Sequence, residues 1–169
     1  NTVIVGVAQA RDIEFVAKQV WQRPDVDPHR LGIVAHSLGA RGALLYAMRD
    51  RRVRVLVSLD GGIGTATGRS AMEQTRSFAS RRNTAHVLHF SEAQDAFMAP
   101  DFTLLAELRG PPVLIVRTPV LHHHHFTSLG AFVDVVNGLR EATGGVPATG
   151  ATYLAVQDAV GAFLGRHLK

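Results

Sequence analysis

The chain has 169 residues, 46% of them hydrophobic and 19% charged, and it contains no cysteine. At roughly 150 residues per domain this is material for one globular unit, and the composition excludes collagen-like, disulfide-framed and disordered classes. The net charge of +4 would suit a nucleic-acid binder, but Arg49, Arg51, Arg52, Arg54, Arg81 and Arg82 stand beside apolar runs without interleaved aromatic residues to stack on bases, so they read as a solvated basic face.

The chain opens on an apolar stretch, residues 2–7, which reads either as an extra strand or as cover for a loop. No apolar window approaches the roughly 18 residues of a membrane span. Ile13, Val16, Ala17, Val20 and Trp21 recur at helical spacing and predict a helix ending before Pro24. After the turn 24–28, residues 31–35 read as a buried strand and 38–48 as a helix. The apolar run 53–59 is a second strand, stopped by Asp60-Gly61-Gly62. Ser70-Ala71-Met72-Glu73 has the form of a capping box and predicts a helix running towards Arg82. Residues 85–90 are strand-like, 100–108 helix-like and 113–117 strand-like. Leu129, Phe132, Val133 and Val136 form a further helical stripe, and the loop 144–152 leads to a last one at Val156, Val160, Phe163 and Leu164.

Strands alternating with helices, and nearly continuous apolar character in the strands, predict an α/β fold with an open, mostly parallel sheet flanked by helices. Ligands of such sheets bind beyond the carboxyl ends of the strands. The residues standing there are Ser37, Asp60, the segment 91–95 and the histidines 122–125.

Ala35-His36-Ser37-Leu38-Gly39 falls where a strand must turn sharply into a helix and approximates the Gly-x-Ser-x-Gly nucleophile elbow, with alanine in place of the first glycine. The pattern demands small flanks because the serine takes a strained conformation in a tight turn. Such a turn aims the Leu38 amide at a developing oxyanion. A serine hydroxyl needs a base to take its proton and a third group to orient that base. Asp60 after the second strand and one of the histidines after the last strand supply them, with Asp95 the rival acid. The run His122-His123-His124-His125 also raises a metal site, but consecutive residues project in different directions and lack a partner at ligand spacing. His86 and His89 lie at an odd spacing along one strand, facing opposite sides of the sheet as packing residues, and His36 supports the turn.

On these residues the chain, from about Asp12 to Lys169, resembles the α/β-hydrolase superfamily, in particular the platelet-activating-factor acetylhydrolase-like and dienelactone-hydrolase-like esterases. The segments carrying the resemblance are Val26-Asp27-Pro28-His29-Arg30-Leu31-Gly32 leading into His36-Ser37-Leu38-Gly39, then Leu59-Asp60-Gly61-Gly62, then a histidine shortly before Phe126-Thr127-Ser128. The resemblance implies a serine-dependent ester hydrolase working through an acyl-enzyme, with Ser37 as nucleophile, Asp60 as acid and Leu38 as oxyanion donor. A His-x-x-Phe register selects His123 as base and a His-x-Phe register His124, with His125 the remaining alternative. The substrate implied is a small-molecule or lipid-like ester, and no phosphate loop or dinucleotide fingerprint calls for a cofactor. The alternative reading is a non-catalytic binding module or an inactive fragment of the same fold. Superfamily sheets carry strands and a second oxyanion donor ahead of the elbow. The chain is therefore expected to form a single, incomplete domain lacking N-terminal strands, whose exposed sheet edge invites self-association.

Overall fold

A computed structural model of the protein describes residues 2–76, 78, 82–92 and 99–169. Its strands β1 (Leu31–His36), β2 (Val53–Leu59), β3 (His86–Glu92) and β4 (Leu114–Thr118) form one four-stranded parallel sheet in the order β1-β2-β3-β4. Each strand falls within two residues of the run expected from the sequence. The fold is α/β, a parallel sheet flanked by helices.

The period of two along the strands divides the interior into two cores. Leu56 and Val87 face one side, where they join Leu44, Leu45, Leu104 and Leu105; Val53 joins the same core because the register shifts between it and Val55. Val55, Val57, Leu59, Leu88 and Phe90 face the other, against Val156, Val160 and Phe163 of the long helix α7 (Thr149–His167). Burial is continuous in β2 apart from the exposed Arg54, and in β3 beyond His86. In β4, Leu114, Ile115 and Val116 are exposed, because this strand has a neighbour on one side only. Its apolar run therefore overstated its burial.

The helices depart further from expectation. Residues 2–7 form neither strand nor loop; they begin α1 (Thr2–Val20), a single helix that also takes in the expected stripe. Val16 and Val20 of that stripe are exposed, whereas Gly6, Ala10 and Ala17 are buried against the helix α2 (Gly39–Ala47). The seam is made by small residues that let two helices approach: a Cβ on Gly42 would lie 2.6 Å from Gln9 Cβ. The third helix, α3 (Ala66–Glu73), starts earlier than the Ser70 capping box implied and stops well short of Arg82. Thr65 is the cap, its Oγ1 accepting from Gly68 N–H at 3.0 Å. Ser70 lies inside the helix, where its Oγ accepts from Gln74, while Glu73 pairs with Arg69. The expected helix 100–108 reduces to α4 (Thr103–Ala106), the 129–136 stripe to α5 (Leu129–Phe132), and α6 (Leu139–Ala142) follows. The expected basic face is partly tied down, as Arg52 pairs with Asp50 and lies 3.6 Å over the Trp21 ring.

The sheet register aligns the strand ends. His36 pairs with Leu59, and Leu59 with Phe90. The ladder then continues one step past the strands: Ser37 N–H donates to Leu59 O at 3.1 Å and Asp60 N–H to Phe90 O at 2.8 Å. Gly61 completes the corner, for a Cβ there would run into Ser58 Oγ and Ala40 Cβ. Gly61→Ala should lower the unfolding free energy by about 1–3 kcal/mol through overpacking. Gly161→Ala, in α7 with open space around it, should raise it by about 0.5–1 kcal/mol. Urea titrations of the two variants check both signs.

Candidate active site

Ser37 leaves β1 with φ of 55° and Asp60 leaves β2 with φ of 44°; among the described residues they are the non-glycine residues with positive φ. Such a conformation costs an L-residue about 1–2 kcal/mol and marks both corners as places where the backbone is bent to aim a side chain. The small-flank requirement at the elbow is softer than expected, since a Cβ on Gly39 would sit 4.0 Å from Ala35 Cβ, an ordinary contact. Leu38 caps α2. Its N–H donates to none of the described residues.

After β4 the chain crosses back over the sheet ends and forms a 3-10 turn, His123–Phe126. The His123 imidazole lies between the two bent corners. Its Nδ1–H donates to Asp60 Oδ2 at 2.5 Å, and its Nε2 accepts from Ser37 Oγ at 2.9 Å. The backbone of the same residue is held at both ends: His36 Nε2–H donates to the His123 carbonyl at 2.9 Å, and the His123 N–H donates to Glu92 Oε2 at 3.0 Å. Asp60 Oδ1 accepts from Glu92 N–H at 3.0 Å.

The other histidines of the run face away. His124 Nε2 donates to the Thr143 carbonyl, His125 Nε2 meets Thr143 Oγ1, and His122 Nε2 donates to the Gly144 carbonyl, all at 3.0–3.1 Å. The run therefore anchors the segment after α6. Among the described residues no group of histidine and acidic side chains is arranged to hold a metal ion. Asp95 lies outside the described residues. His86 stacks on His167, while His89 is buried with Nδ1 bonded to Ser58 Oγ at 2.9 Å. Glu92 falls in the segment 91–95 expected beyond the third strand, though with no role of its own, and no local pattern marks Thr143.

The hydrogen bond with Asp60 lifts the His123 imidazole above its ordinary value against the opposing effect of burial, helped by the charges of Asp60 and Glu92. Burial alone would raise the Asp60 carboxyl, but the hydrogen bonds from His123 and from Glu92 N–H outweigh it and leave it below its ordinary value. Burial lowers His36. It pushes His89 down to about 4 and, with the neighbouring His124 and His122, His125 also to about 4. A serine hydroxyl on a neutral imidazole that is braced by a carboxylate can deliver an alkoxide-like oxygen to an electrophile. A cavity of about 20 Å³ is lined by Asp60, His89, Glu92 and His123 among others. A much larger apolar groove of about 500 Å³ runs between β4 and α7, with neither Ser37 nor His123 in its wall.

In a comparison with solved structures the chain is similar to the ferulic acid esterase from Streptomyces cinnamoneus, with a TM-score of 0.65 at 21% sequence identity. The match covers 99% of this chain and 49% of that one, so the chain spans about half the length of the esterase it resembles. That likeness shows a shared α/β fold. No protein-family model and no curated protein matches the sequence. No described helix is long and apolar enough to cross a membrane.

His89 and His125 are neutral when folded and take up a proton near pH 6.5 once unfolded, so the stability they contribute is full above that pH and is lost as pH falls towards about 4. Thermal melts followed by circular dichroism should show Tm falling across that window, with a shallower slope in the non-titrating variant His125→Gln. A Tm independent of pH over the window would contradict this.

Proposed function

We propose that the protein is a serine-dependent carboxylic ester hydrolase in which Ser37 is the nucleophile, His123 the general base and Asp60 the acid that orients it. The observation that carries this reading is the continuous relay from Asp60 Oδ2 through both nitrogens of His123 to Ser37 Oγ. The positive φ at both corners supports it, and the fold shared with a ferulic acid esterase is compatible with an ester substrate. The assignment belongs with the acetylhydrolase-like pattern, in which the acid follows the strand after the elbow.

Each step follows from the hydrogen-bond directions. His123 Nε2 takes the Ser37 proton as Oγ attacks the ester carbonyl carbon, and the carbonyl oxygen becomes an oxyanion facing the Leu38 N–H. The tetrahedral adduct collapses, the C–O bond to the leaving alcohol breaks, and His123 returns the proton to that oxygen. Water then attacks the acyl-Ser37 ester while His123 takes its proton. The second collapse releases the acid and restores the Ser37 hydroxyl. Asp60 holds Nδ1–H throughout, so that Nε2 always faces the reacting oxygen and the imidazolium is stabilised when it forms. Neither His124 nor His125 is oriented to replace His123, because both rings are committed to Thr143.

A fluorophosphonate probe should label the chain at Ser37, and Ser37→Ala should abolish labelling and lower kcat for p-nitrophenyl acetate by about 10⁶-fold. Unchanged labelling in the alanine variant would falsify the nucleophile assignment. His123 must be neutral to act as base and its pKa is raised, so kcat/KM should fall as pH drops through a value above about 6.5. Asp60→Asn removes the anion that raises it; the acid limb should move to lower pH and kcat should drop by about 10⁴-fold. A limb that stays in place would assign the titration to another group.

A further inference from the structure

The loop carrying His123 leaves the sheet from β4 at the far edge, yet its imidazole must reach Asp60 beyond β2 and Ser37 beyond β1. With strands about 4.8 Å apart, that is a traverse of roughly 14 Å across the strand ends, passing over the end of β3. Glu92, the last residue of β3, stands at the crossing point. Its side chain is 4% exposed, and a carboxylate so deeply buried is costly unless its oxygens are engaged. Oε2 accepts from the His123 N–H at 3.0 Å, while its own backbone N–H donates to Asp60 Oδ1 at 3.0 Å. One residue thus holds both the backbone of the candidate base and the carboxylate of the candidate acid.

We infer that Glu92 is a positioning residue for catalysis, which fixes the His123 imidazole in register with Asp60 and Ser37 without touching the substrate. The inference rests on the triad reading above. The His123 peptide is gripped from two strands, its N–H by Glu92 of β3 and its carbonyl by His36 of β1, and this stretches the residue directly over β2, where Asp60 stands. Of the two grips, the Glu92 one also links to Asp60. A shift in the His123 backbone would therefore disturb the acid at the same time. Among the described residues, the charged and titratable groups around the pair include Asp60 after β2, His36 on β1, His89 on β3 lining the same small cavity, and His122 with Nδ1 3.9 Å from Glu92 Oε2.

The test uses the full chain and two readouts: steady-state turnover of p-nitrophenyl acetate, and NMR titration of the His123 imidazole assigned with His123→Gln. Glu92→Ala should lower kcat by about 10–100-fold, the cost of misplacing a catalytic group by about 1 Å, with KM changed by less than about twofold. Glu92→Gln keeps an oxygen acceptor for the His123 N–H, so it should recover most of the kcat lost to alanine. Because it removes the charge, the His123 titration and the acid limb of kcat/KM should move together to lower pH. An unchanged titration in Glu92→Gln, or a Glu92→Ala variant that loses thermal stability but keeps kcat, overturns the inference. If the alanine variant does not fold, the glutamine titration decides alone. If the parent chain shows neither turnover nor probe labelling, the hydrolase reading fails on its own, while the titration still tests the grip of Glu92 on His123.

Discussion

Parallel pairing of β1, β2 and β3, in register from Gly32 to the strand ends, brings the carboxyl ends of three strands into one row, and the rest of the site is built on that row. The ladder runs one hydrogen bond beyond each strand, from Ser37 N–H to Leu59 O and from Asp60 N–H to Phe90 O. The backbone turns into positive φ at each corner immediately afterwards. Two corners so tethered point two side chains at a common space above the sheet. A third segment, arriving from β4, needs only to be held over that space for its imidazole to bridge them.

The holding is mostly polar and mostly buried, and that shapes its chemistry. His36, Glu92 and Asp60 surround His123 with a neutral ring and two carboxylates, so its imidazole is braced towards accepting a proton. The neighbouring histidines lie against the carbonyls and hydroxyl after α6, tying the loop to the C-terminal part of the chain. A run of four identical residues thus serves two purposes, separated by the rotation of successive side chains in a 3-10 turn. Packing around this polar row is supplied by the two cores on either face of the sheet, which fix β2 and β3 from both sides.

Much of the fold was legible in the chain. The four strands were, because fully or half-buried parallel strands concentrate apolar residues into short runs bounded by turn residues. The sharp strand-to-helix turn at Ser37 was legible too, since small residues flank a serine at a strand end. The helices were less so. The bulky apolar residues of α1 marked a helix but not its buried seam, which is lined by glycine and alanine where α1 and α2 approach closely. The Ser70 to Glu73 pattern resembled a cap, but Thr65 supplies the cap, and Glu73 is drawn to Arg69 instead. Helix starts depend on which of several short polar side chains reaches a free N–H, and spacing alone does not rank them.

For the candidate site, the sequence by itself determined the kinds of residue available and their order along the chain: a serine at a strand-to-helix turn, an aspartate after the next strand and histidines after the last. Only the tertiary structure decided that His123, rather than His124 or His125, faces Ser37 and Asp60, because adjacent side chains in a run differ in direction by the local backbone twist and by the partners waiting for them. It also brought in Glu92, whose neighbours lie 31 and 32 residues away. Contacts of that span arise from strand register and loop path, which no local pattern encodes.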